Sequence, residues 1–198
     1  MKKITHLYIS GLGSVYKPYI TDSLRRRFGA DFHYYVLQNV FSTDLAYLED
    51  YCRQAGPLQV TGHSTGGFLG LHLLRHFSNV QSLHLINPAI DLLWSLDQFP
   101  EAADFLKERP LMEEAFAGIM AHFRGEGHPV TMIQGELDEV VHTAFNKDFM
   151  QRLGGHTTLL PDLGHRFDEA GYERLMDLVQ THAQLMEKRL LNRDQTQH

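Results

Sequence analysis

The sequence predicts an α/β fold, a mostly parallel sheet of six strands with helices on both faces. Three observations predict it. Apolar runs of strand length recur along the 198 residues, separated by stretches long enough for crossover helices. Six such runs, each followed by a helical pattern, imply parallel strands covered on both faces. A glycine-flanked serine directly follows one run and precedes an apolar helix, as at a site on the carboxyl edge of an open sheet.

Strands are expected at Ile4 to Ile9, Tyr34 to Leu37, Leu58 to Thr61, Leu83 to Ile86, Val130 to Ile133 and Thr157 to Leu160. His6 and Ser10 interrupt the first apolar stretch and Gly11 follows at once, so it reads as a strand rather than a signal peptide. The first helix covers Tyr19 to Phe28. A second begins near Thr43, a residue type that caps helices, and ends before the Gly56-Pro57 breaker. Phe68 to Phe77 is apolar on nearly every side, which places that helix between the sheet and other elements. In the last helix Tyr172, Leu175, Met176, Val179, His182 and Met186 recur at spacings of three and four, giving one docking face.

One interval breaks this rhythm. Roughly 40 residues separate Asn87-Pro88 from Pro129, several times the usual length of a connection. Phe99, Phe105, Leu106, Met112, Phe116, Ile119 and Met120 are spaced there as two short helices. We expect a short helical lid inserted at about 89–128 of a single domain spanning 1–198, with Phe99, Phe116 and Met120 facing substrate. A crossover helix with decoration is the alternative.

Composition narrows the function. Hydrophobic residues at 43% and charged residues at 21% are globular proportions. A net charge of −6 argues against a nucleic-acid binder, and no apolar run approaches the ~18 residues of a membrane helix. Cys52 is the sole cysteine, so packing rather than an intrachain disulfide holds the fold, as expected in the cytoplasm. The expected partner is a small molecule, with neither nucleic acid nor membrane.

The chemistry concentrates at Gly62-His63-Ser64-Thr65-Gly66, a G-x-S-x-G sequence between strand and helix. A sharp turn there presents the serine hydroxyl above the sheet. A hydroxyl is a weak nucleophile, so it needs a base and a group that orients the base. Asp138 follows the fifth strand in Gly135-Glu136-Leu137-Asp138, with Glu136 and Glu139 as rival acids. His165 follows the sixth strand in Leu163-Gly164-His165, and the order Ser64, Asp138, His165 suits this reading. Asp162 reads as a turn residue. Backbone amides of Thr65 and of the Ser10-Gly11-Leu12-Gly13-Ser14 loop, most naturally Leu12, would form the oxyanion hole. That loop also suits phosphate binding, but Tyr16 stands where the last glycine of a dinucleotide motif belongs.

With these residues in place, the chain resembles the α/β-hydrolase superfamily over almost its whole length, from Ser10-Gly11 through Gly62 to Gly66, Asp138 and Gly164-His165. It looks like the compact YqiA-type esterases, with Asn87-Pro88 after the fourth strand, although many relatives have histidine in place of Ser10. The resemblance implies the α/β-hydrolase fold and serine-hydrolase activity. We expect a serine esterase that cleaves a carboxylic ester or thioester without a cofactor, its short lid suiting short to medium acyl chains. The same three residues would serve an amidase, a peptidase or a cofactor-free haloperoxidase, and a non-catalytic binding protein could retain the scaffold.

Other signals are discounted. His72 and His76 have metal-ligand spacing but lack the glutamate of a zinc helix, so no metal site is expected. Arg25-Arg26-Arg27 reads as a solvated helix end, and Cys52 as a packed thiol.

Overall fold

The computed structural model describes residues 3–99 and 102–196. Strands β1 (Thr5–Ile9), β2 (Phe32–Tyr35), β3 (Leu58–His63), β4 (Val80–Ile86), β5 (Val130–Gly135) and β6 (His156–Leu160) form one sheet in the order β2-β1-β3-β4-β5-β6. Every neighbouring pair is parallel. The chain steps outward from β1 to β2, then returns past β1 to β3 and runs on to β6. Such a reversal leaves a crevice beyond the carboxyl ends of the neighbouring strands β1 and β3.

Helices α1 (Pro18–Phe28) and α8 (Glu169–Thr196) cover one face, while α2 (Phe41–Gln54), α3 (Thr65–His76) and α7 (Thr143–Arg152) cover the other. The alternation of β1 shows the two layers. Leu7 and Ile9 join Leu48, Leu69 and Phe149 in one apolar cluster, whereas Tyr8 joins Leu24, Tyr172 and Met176 in a second. The arginine run at the end of α1 is not merely solvated. Arg27 pairs with Glu173 and Asp177 at 2.8 and 2.5 Å and clips α1 to α8. Among the described residues no helix is long and apolar enough to cross a membrane.

The face under α8 also carries a buried polar row. His6 Nε2 lies 3.1 Å from Thr61 Oγ1, His84 Nδ1 lies 2.9 Å from Thr131 Oγ1, and Thr158 Oγ1 lies 3.1 Å from His182 Nε2. Burial pulls the imidazoles down, His6 to about 3 and His182 to about 4, so they stay neutral.

Two boundaries depart from expectation for identifiable reasons. Strand β2 ends at Tyr35 because the next amides leave the ladder: Leu37 donates to Ser10 Oγ at 3.2 Å and Gln38 to Asp44 Oδ1 at 2.7 Å. Thr43 lies inside α2 and does not cap it. The helix begins at Phe41, and Glu108, distant in sequence, accepts from the Ser42 amide at 2.9 Å and the Ser42 hydroxyl at 2.5 Å.

The long interval folds as three helices, α4 (Leu92–Asp97), α5 (Ala103–Leu106) and α6 (Arg109–His122), rather than two. Residues 100 and 101 of it lie outside the described residues. Helix α6 buries Met112, Ala115 and Ile119 and packs on α3 and α4, so it takes the place of the crossover helix between β4 and β5.

Candidate active site

Ser64 stands between β3 and α3 with φ 55° and ψ −121°. This conformation costs an L-residue on the order of 1–3 kcal/mol and persists only where surroundings over-determine it. Glycines on either side provide that. A Cβ on Gly62 would run into the Gly66 carbonyl, and one on Gly66 into the Ile9 carbonyl. The Ser64 amide donates to the Ile86 carbonyl at 3.0 Å, and its carbonyl accepts from Gly67 and Ala89 at 2.9 and 3.0 Å.

From the tip of this turn the Ser64 hydroxyl reaches His165 Nε2 at 3.1 Å, and His165 Nδ1 reaches Asp138 Oδ2 at 2.9 Å. The other carboxylate oxygen accepts from the Val140 and Val141 amides at 2.9 and 3.2 Å, and the Asp138 side chain is fully buried. A carboxylate so held accepts a hydrogen bond from Nδ1–H, which keeps the proton on that nitrogen and leaves Nε2 as the acceptor facing the hydroxyl. The rival acids lie elsewhere. Glu136 is exposed and pairs with Lys147 at 3.5 Å, Glu139 is exposed, and Asp162 pairs with Arg174 at 2.7 Å.

A scaffold that sequence reasoning did not foresee ties the two loops together. Asn87, at φ 41°, accepts from the Gly135 amide at 2.8 Å and donates to the Gly164 carbonyl at 2.9 Å. Gln134 Nε2 lies 3.3 Å from Asn87 Oδ1 and 3.4 Å from Asp138 Oδ2, and Asn146 donates to Gln134 Oε1 at 3.0 Å. The Asn87-Pro88 dipeptide after β4 was the one visible signal of this network. His63 packs its ring against those of His165 and Phe167, with centroids 5.4 and 5.0 Å away. Burial pulls it down to about 3, so it is a neutral wall beside the serine.

The Ser64 hydroxyl opens into a cleft of about 760 Å³. Leu12 and Thr65 both line it. The Thr65 amide heads α3, where first-turn amides have no intrahelical acceptor. The loop carrying Leu12 backs onto Ser64 so closely that a Cβ on Gly11 would come within 2.9 Å of Ser64 Cβ. Asn39 Oδ1 pins this loop by accepting from the Gly13 amide at 3.0 Å.

Of the three expected substrate-facing residues, Phe99 lines the cleft, together with Leu96 and Phe105 from α4 and α5. Phe116 and Met120 do not. Helix α6 turns them toward the core, with the Phe116 ring 6.2 Å from that of Phe145 on α7. The discounted residues are likewise accounted for. His72 bonds Glu49 at 3.0 Å, Cys52 is buried with its thiol pushed up to about 12, and no cluster of potential metal ligands occurs among the described residues.

Solved structures share this architecture. Est1E from Butyrivibrio proteoclasticus superposes with a TM-score of 0.69 at 13% identity, covering 94% of this chain and 89% of that one. The esterase domain of a Rhodothermus marinus protein gives 0.67 at 14% identity, covering 90% and 85%. Alpha/beta hydrolase domain-containing protein 10 from mouse gives 0.65 at 16%, covering 95% and 91%. No protein-family model matches the chain, and no curated protein matches it in sequence.

Proposed function

We propose that this chain, whose fold is that of the α/β-hydrolases, is a serine esterase that cleaves a carboxylic ester or thioester through an acyl-enzyme. The observation that carries the reading is the continuous run of hydrogen bonds from Ser64 Oγ through His165 to Asp138 at the mouth of a largely apolar cleft.

In this reading His165 Nε2 removes the Ser64 proton as Oγ attacks the carbonyl carbon. The oxyanion forms against the Leu12 and Thr65 amides, each such donor worth roughly 3–4 kcal/mol. The His165 imidazolium, stabilised by Asp138, returns the proton to the leaving oxygen or sulfur, and the acyl group stays on Ser64. Water, deprotonated by the same nitrogen, then attacks the acyl-enzyme and the serine is regenerated. The chemistry needs no cofactor. Helices α4 and α5, with Leu96, Phe99 and Phe105, form the lid side of the acyl pocket, a short wall that suits short to medium chains.

A series of 4-nitrophenyl esters from acetate to laurate tests this, alongside the corresponding anilides. The reading expects kcat/KM to rise from acetate to a medium-chain optimum and then fall, with anilides far slower. Turnover of anilides or peptides above that of the esters would contradict it.

A further inference from the structure

The two ends of the cleft differ in chemistry. At one end Leu96, Phe99, Ala102 and Phe105 come from α4, α5 and the segment between them, and among the described residues the charged lining residue there is Asp104, already paired with Lys107 at 2.6 Å. At the other end the lining comes from the β1–α1 loop, the start of α1, β2 and the loop before α8. Tyr19, Tyr34 and Phe167 stand there with Lys17 and Arg166. These aromatic residues pack with the apolar cluster on the α1/α8 face of the sheet, whereas the lid residues belong to the opposite cluster. The cleft therefore bridges both faces across the edge where Ser64 sits.

The two basic residues are notable for what they lack. Arg25, Arg26, Arg27, Arg53, Arg109 and Arg174 are all engaged by carboxylates. Among the described residues Lys17 and Arg166 enter no ion pair, nor do Arg75 and Arg124, but of these four only Lys17 and Arg166 line the cleft. Lys17 rests its ammonium over the Tyr19 ring, 5.7 Å from the centroid.

Proton transfer fixes which half of a substrate meets these cations. The leaving atom must take its proton from His165 Nε2 and so departs on the side of that residue. Arg166 and Phe167 follow His165 in the chain, and His63 packs against its ring. The acyl chain is then left with the apolar lid end.

We propose that the limb beside His165 is a leaving-group subsite for an alcohol or thiol bearing an anionic group, held by Lys17 and Arg166 over a floor of tyrosine and phenylalanine rings. This rests on the esterase reading and narrows its substrate class to acyl esters or thioesters of anionic, preferably aromatic or similarly flat, leaving groups.

The test compares the acetate esters of 4-hydroxybenzoate and 4-hydroxybenzamide, which share an acyl group and a shape but differ in charge. The readout is the ratio of kcat/KM for the two esters within each protein. The wild type should favour the carboxylate about tenfold at low salt, with the preference shrinking as sodium chloride screens it. Lys17→Met and Arg166→Met should each reduce the ratio about three- to fivefold, the scale of one exposed ion pair, and Lys17→Glu should reduce it further. A wild-type ratio near one, with both esters turned over, would overturn the subsite and leave the esterase reading standing. Absence of turnover together with absence of fluorophosphonate labelling at Ser64 would overturn both. If Ser64 labels but the esters react too slowly, protection from labelling by 4-hydroxybenzoate relative to 4-hydroxybenzamide decides the same ratio: equal protection refutes the subsite.

Discussion

The Asn87 side chain donates to the Gly164 carbonyl at 2.9 Å and so fixes the end of β4 to the backbone that precedes His165. Its side-chain oxygen accepts from the Gly135 amide at 2.8 Å, so one residue sets the spacing between the Asp138 loop and the His165 loop.

Asn87→Ala should therefore cost both stability and rate. Leaving a buried amide and carbonyl without partners costs about 1–3 kcal/mol each. A displacement of about 1 Å in the His165 loop costs up to a hundredfold in kcat/KM. Urea unfolding and ester kinetics on the same preparation check this. Unchanged kinetics with lowered stability would mean that the loop holds its place without the bridge.

Asp138→Asn should lower kcat by roughly ten-thousand-fold, because an amide holds the imidazole in the wrong tautomer. Glu136→Gln and Glu139→Gln should leave kcat within about threefold, as exposed side chains away from the triad usually do. A large loss in either glutamate variant, with Asp138→Asn active, would reassign the acid.

The loops of Ser64, Asp138 and His165 were legible in the sequence, and the reason is local. Gly62 to Gly66 is a contiguous turn, and Asp138 and His165 each follow directly on a strand, so order and spacing sufficed to find them. Asn87, Gln134 and Asn146 act across long sequence separations that no local pattern encodes. The same holds for Glu108 reaching the start of α2. Phe116 and Met120 share helical spacing with Met112 and Ile119, so periodicity placed them on a helix but could not say whether it faced the cleft or the core.

That distinction separates two substitutions. Phe99→Ser should flatten the acyl-chain profile, since each methylene buried against the lid is worth about 0.8 kcal/mol, or roughly fourfold in kcat/KM. Phe116→Ser should lower the unfolding midpoint and leave the profile unchanged. A 4-nitrophenyl ester series on both variants checks this, and a flattened profile in Phe116→Ser alone would show that α6 forms the pocket wall.

The buried imidazole row makes stability dependent on acid. His6 and His182 are pulled down to about 3 and about 4, and His84 is pulled down as well, all by burial. Above pH ~7.5, a unit over the unfolded value, these groups are neutral in both states and add no pH dependence. As the pH falls below that, the unfolded chain takes protons that the folded chain refuses, so stability is lost, by about 1 kcal/mol per imidazole at pH 5.5. Urea midpoints measured from pH 7.5 to pH 5 should fall progressively. Midpoints that stay level across that range would contradict buried neutral histidines.

An activated nucleophile at Ser64 is open to covalent labelling. A fluorophosphonate probe should attach to Ser64, located by mass spectrometry of the peptide that carries it. Labelling and ester hydrolysis should both vanish in Ser64→Ala, a loss on the order of a million-fold in kcat, with the circular dichroism spectrum retained. Attachment at another residue, or hydrolysis surviving in a folded Ser64→Ala protein, would contradict the account.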